Sequence, residues 1–109
     1  MKIAVTSQNF REVTGHAGKT RRFLIYEGHP DQEPVEIDRL DLPKELAFHE
    51  LHGKELASHP VDVAEILITG GAGAGFVQRL AQRGIKVYTT TETDPVQAVK
   101  LFFAGKLSA

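Results

Sequence analysis

The chain has 109 residues, 41% hydrophobic and 25% charged, enough for one small domain burying roughly two-thirds of its unfolded surface. Its 13 Lys and Arg against 14 Asp and Glu leave a formal charge of −1, which argues against the strongly basic face of a nucleic-acid binder. The absence of cysteine excludes a disulfide scaffold, a cysteine-ligated iron–sulfur cluster, a Cys-type zinc finger and a cysteine nucleophile.

Lys2–Thr6 is a β-branched run that ends in a polar cluster and predicts a first strand. That polar cluster also makes the N-terminus unlike a signal peptide, and no apolar run approaches the ~20 residues of a membrane span, so the expected address is the cytoplasm. Residues 7–21, with Asn9, Gly15 and Gly18, predict a long loop, the kind that tends to carry function. Arg22–Glu27 reads as a second strand and Gly28-His29-Pro30-Asp31 as a turn. Val35, Ile37 and Leu40 suggest a third strand, hairpin-paired to the second. Its Glu36, Asp38 and Asp41 favour a sheet edge with one wet face.

Pro43 could open a helix as its first residue, but Gly53 and uneven apolar spacing speak against one continuous helix over 43–60. Val63–Thr69 predicts a buried central strand, followed by the glycine-rich turn Gly70–Gly75. Phe76, Val77, Leu80 and Ala81 fall at helical spacing until Gly84, and Ile85–Thr89 is another strand. Asp94 and Pro95 cap and start a last helix that Gly105 ends. The second half is thus β-α-β-α with parallel strands and a right-handed crossover, and the first half is a hairpin on the same sheet. One α/β domain over residues 1–109, with helices on a mixed sheet, is the expected architecture.

Gly18-Lys19-Thr20 imitates the end of a phosphate-binding P-loop, but Val13 stands where that motif needs glycine and a strand follows instead of a helix. The run Gly70-Gly71-Ala72-Gly73-Ala74-Gly75 is a better physical site. Glycines let backbone N–H groups approach a ligand, and a helix N-terminus adds partial positive charge. The alternative is a tight strand–helix turn that needs small residues for packing. His16 lies in a glycine-flanked loop beside Lys19, Arg21 and Arg22, a setting that suits an anionic ligand carrying a metal with an open position. It could equally be a loop histidine capping its own turn. His49 and His52 share one face if their segment is helical and could hold a divalent metal with Glu45 or Glu50 nearby; surface histidines are the plainer reading. No nucleophile elbow or paired catalytic carboxylates emerge, so the sequence points to binding and not to an enzyme.

Met1–Ser7, Val13–Tyr26 with its Gly15-His16-Ala17-Gly18 loop, Ile66–Gly73, Leu80–Val87 and Thr91–Val99 through Gly105-Lys106-Leu107 together resemble the dinitrogenase iron–molybdenum cofactor biosynthesis family, which includes NifX, NifY and the C-terminal domain of NifB. The resemblance spans nearly the whole chain, with Ala17 where the family carries Phe after the loop histidine. It implies a three-layer α/β/α ribonuclease-H-like domain with a five-stranded mixed sheet and no nuclease chemistry. It also implies a cytoplasmic, non-enzymatic carrier in nitrogen fixation that transiently binds the iron–molybdenum cofactor or an iron–sulfur precursor and meets nitrogenase-assembly proteins. His16 is then the expected metal ligand, with Lys19, Arg21, Arg22, Gly71 and Gly73 around the anionic cluster, and His49 and His52 as further candidate ligands. Two rival expectations remain. One is an adaptor whose surface is the acidic strand 35–41 and the His49–His59 segment, with no cluster. The other is a small enzyme or sensor binding a phosphate-bearing metabolite at Gly70–Gly75.

Overall fold

A computed structural model describes residues 1–51 and 58–109. Strands β1 (Lys2–Thr6), β2 (Arg22–Glu27), β3 (Val35–Asp41), β4 (Ile66–Thr69) and β5 (Lys86–Thr89) form one mixed sheet in the order β3-β2-β1-β4-β5. β2 is antiparallel to both β1 and β3, while β1, β4 and β5 run parallel. The parallel half and the attached hairpin agree with the sequence pattern.

Side chains alternate along each inner strand, so the sheet builds two cores. Ala4, Phe23, Ile25 and Leu67 face one side, where they meet Phe48 of helix α1 (Phe48–Leu51) and Phe76 and Leu80 of helix α2 (Ala74–Gln82). Ile3, Val5, Leu24, Tyr26, Ile66 and Ile68 face the other, under Ala98 and Val99 of helix α3 (Pro95–Phe103). Helices on both faces make three layers. β4 is buried at all four residues, as a central parallel strand should be.

Local signals set the helix ends. Asp94 accepts from the amides of Val96 and Gln97 with Pro95 at the first position of α3. Gly84 ends α2 at φ 79°, a left-handed backbone that costs a side chain about 1 kcal/mol. Gly84→Ala should therefore lower the unfolding free energy by about 1 kcal/mol in urea titrations without altering the slope of the transition.

Three expectations need correction. The strand after residue 60 begins at Ile66, because Pro60–Val63 forms a single 3-10 turn capped by His59 and Asp62, which leaves Val63 exposed. Pro43 is the extended residue before a 3-10 turn at Lys44–Leu46, not the first residue of a helix. β3 is indeed the edge strand, but both of its faces are wet; only Leu40 packs partly onto the core.

Candidate functional site

The C-terminal ends of β1 and β4 lie side by side, and each runs into a glycine-bearing segment. Beyond β1, the loop over 7–21 folds back so that the amide of Gly70 donates to the carbonyl of Thr14 at 3.0 Å and that of Ala17 to Gly71 at 3.0 Å. The two backbones pass closely. A Cβ on Gly70 would come within 3.3 Å of Thr14 and Gly15 backbone atoms, so a side chain there would push that backbone away by a few tenths of an ångström.

A buried hydroxyl pair stitches this seam. Thr6 Oγ1 donates to the Thr14 carbonyl at 2.6 Å and lies 2.8 Å from Thr69 Oγ1, which also lies 3.2 Å from the carbonyls of Thr14 and Gly71. The amide of Gly71 donates back to Thr69 Oγ1 at 3.3 Å. The pair is formed by residues 63 apart in the chain, and nothing local in the sequence announces it. Threonines closing two predicted strands, Lys2–Thr6 and Val63–Thr69, are the signal the sequence offers.

His16 sits on this seam with φ 52° and ψ 50°, a left-handed conformation uncommon for a side-chain-bearing residue. It precedes the 3-10 turn Ala17–Lys19, but its side chain makes no capping bond; its carbonyl instead accepts from the Lys19 amide at 2.9 Å. The turn-capping explanation of His16 therefore fails. Its exposed imidazole lines a cleft of about 500 Å³ with Lys19, His49, Gly71, Ala72 and Gly73. Gly71 and Gly73 have neither a positive φ nor any atom within 4 Å of an added Cβ, so neither backbone geometry nor packing demands glycine. Bare backbone open to the cleft is what remains. Gly73 also starts α2 without a side-chain cap, which leaves first-turn amides of that helix to solvent or ligand.

Of the other expected site residues, Lys19 and His49 share this cleft, and Arg21 lines an adjoining hollow with both of them. Arg22 does not join them. Its position in β2 turns it to the opposite face, where Nε meets Asp41 at 3.3 Å and the guanidinium stacks over Phe10 at 5.4 Å. A one-residue step along an extended backbone reverses the face, so Arg21 and Arg22, expected together, diverge. His52 lies outside the described residues. Among the described residues, no group of three His, Asp or Glu converges as a metal site.

His59 belongs to the core. Its Nδ1 accepts from the Val61 amide at 3.0 Å, so Nε2 carries the proton and donates to the Leu46 carbonyl at 2.8 Å. Its ring packs on Phe48 at 4.5 Å between centroids, and burial lowers its pKa. Both ring nitrogens are in use, so His59 is a support for the Lys44–Leu51 wall of the cleft. His29 stands on the surface beside Glu27, at 3.5 Å.

A family model described as "Dinitrogenase iron-molybdenum cofactor" matches residues 1–105. An uncharacterized protein of Methanocaldococcus jannaschii is 30% identical over 115 residues, covering 98% of this chain and 89% of that protein. Among solved structures, a candidate dinitrogenase of the same organism is similar at a TM-score of 0.67 and 16% identity, covering 99% of this chain and 92% of that one. The apo orange protein of Desulfovibrio gigas is similar at 0.62 and 22% identity, covering 98% and 90%. A candidate NifB protein from Thermotoga is similar at 0.58 and 22% identity, covering 98% and 90%. At these identities the structural likeness concerns the fold alone.

Proposed function

The chain belongs to the dinitrogenase iron–molybdenum cofactor family, and from that premise we propose that it is a non-enzymatic, cytoplasmic carrier that binds the iron–molybdenum cofactor or an iron–sulfur precursor as transient cargo. The observation that carries this reading is the uncapped, left-handed His16 on the same cleft as the open glycines Gly71 and Gly73. A neutral imidazole can donate one lone pair to iron or molybdenum, and Lys19 and the exposed amides of the glycine turn suit the cargo's negative charge. His49, on the facing wall, is the second candidate ligand.

The donor set fits a cargo more than a resident group. The chain has no cysteine, and the described residues offer no third ligand close to His16 and His49. One or two imidazoles hold a cluster weakly enough to surrender it, which a carrier passing it between assembly proteins needs. The same reading takes the α/β/α domain as ribonuclease-H-like without nuclease chemistry, supported by the order β3-β2-β1-β4-β5 with only β2 reversed within the β2-β1-β4-β5 portion.

The test is anaerobic titration with isolated iron–molybdenum cofactor and with its iron–sulfur precursor, counting protein-bound iron after gel filtration. The native protein should retain iron, and His16→Ala should retain about a tenth as much or less while its circular dichroism is unchanged. Equal retention by both proteins removes His16 as the ligand. Retention by neither favours an adaptor reading, for which the exposed Val35 and Ile37 of β3 provide an apolar surface.

A further inference from the structure

Beside the His16 cleft lies a second hollow of about 380 Å³, lined by Lys19, Arg21, Lys44, Ala47, His49 and Glu50. It shares Lys19 and His49 with the cleft, so the two adjoin. The backbone brings its cations together from separate segments: the Leu42 amide donates to the Arg21 carbonyl at 2.9 Å, which draws the Pro43–Ala47 stretch against the end of the His16 loop. Buried Ala47 contributes to the lining.

The charge in this hollow is unusual for a chain whose formal net charge is −1. Arg22, Arg39, Arg83 and Lys100 are each ion-paired to a carboxylate, whereas none of Lys19, Arg21 and Lys44 is, among the described residues. Among the described lining residues three cations face one carboxylate, that of Glu50, so an anion entering the hollow meets an excess of positive charge. The space exceeds that of a point ion and accommodates a branched carboxylate or a phosphate. Arg21 offers the planar fork that matches such oxyanions, and the two lysines add point charges.

We infer that Lys19, Arg21 and Lys44 form an oxyanion subsite, adjoining the His16 cleft, that takes a carboxylate- or phosphate-bearing arm of the ligand. The claim rests on the binding reading of that cleft for what occupies the other end.

The subsite is testable with no cluster present. Metal-free, nitrogen-15-labelled protein is titrated with inorganic phosphate and, separately, with citrate, while chloride holds ionic strength constant. Saturable shifts are expected at the amides of Lys19–Arg21 and Lys44–Glu50. Arg21→Ala with Lys44→Ala should weaken that binding about tenfold or more. Lys86→Ala with Lys100→Ala removes the same charge elsewhere, from a residue stacked on Tyr88 and one paired with Glu33, and should change it less than about twofold. A preference for one anion identifies the arm as phosphate or carboxylate. Absence of saturable shifts with both anions overturns the subsite, as does equal weakening in the two double variants. Those results leave cluster retention through His16 untouched, and loss of retention with intact phosphate or citrate binding would instead refute the carrier reading alone.

Discussion

His59→Ala lowers the unfolding free energy by about 3 kcal/mol near neutral pH, and it flattens the acid side of the stability profile. Three losses add up. The Val61 amide loses its cap, worth about 1 kcal/mol. The Leu46 carbonyl loses its donor, at a cost of about 1 kcal/mol. A void opens where the ring packed on Phe48, which itself meets Phe76 edge-on at 5.5 Å.

The pH dependence has a definite sign. Burial lowers the folded pKa of His59 below its ordinary 6.5, and nearby Arg83 adds to that; the Leu46 hydrogen bond and Asp62 oppose it. The unfolded chain therefore takes up the proton first, so this contribution is complete above pH ~6.5 and drains away as pH falls from there towards the folded pKa. Asp62 behaves alike but lower. The Arg83 guanidinium, which bonds both carboxylate oxygens at 2.6 Å, holds its pKa below 3.8, so its share is lost only in stronger acid. Urea titrations across pH 5 to about 7.5 check the size of the loss and the His59 slope, and the Asp62 share needs the series carried below about pH 4. Parallel profiles for native protein and His59→Ala would show that His59 does not supply the slope. Because His59 fixes the Leu46 carbonyl, the variant should also loosen the wall bearing Lys44 and His49.

This role shows where sequence reading stops. Lys2–Thr6 and Arg22–Glu27 match their observed strands end to end, because alternation along a strand is written in consecutive residues. Asp94-Pro95 and Gly84 mark their helix ends for the same local reason. The strand expected over Val63–Thr69 starts three residues later because Val63 looks like a strand residue, while the interactions that decide its conformation come from His59 and Asp62. Nor could the sequence separate His59 from His16. One has both nitrogens engaged within the core and the other has an exposed ring on a cleft, and only long-range packing distinguishes them. The glycine turn and the His16 loop were legible as candidates. Their contact across β1 and β4, which makes them walls of one cleft, depends on strand order.

Thr69→Val should prove the next most damaging change, at about 2 kcal/mol, although it keeps the shape of the side chain. Each hydroxyl in the seam has one proton to give. Thr6 Oγ1 makes its shortest contact, 2.6 Å, with the Thr14 carbonyl, so the Thr69 proton is left for Thr6 Oγ1 or the Gly71 carbonyl. Valine retains the β-branching that suits β4 but offers no acceptor to the Gly71 amide and no proton to the seam. The penalty falls on the contact between the His16 loop and the glycine turn, not on the sheet. Hydrogen exchange at the Ala17 and Gly70 amides, which bridge the two segments, should accelerate more than exchange at Ile25 in β2. Uniform acceleration would mean that Thr69 contributes only to global stability. A selective increase would mean that the left-handed His16 loop is held against the Gly71 turn by the buried hydroxyl pair, independently of the rest of the sheet.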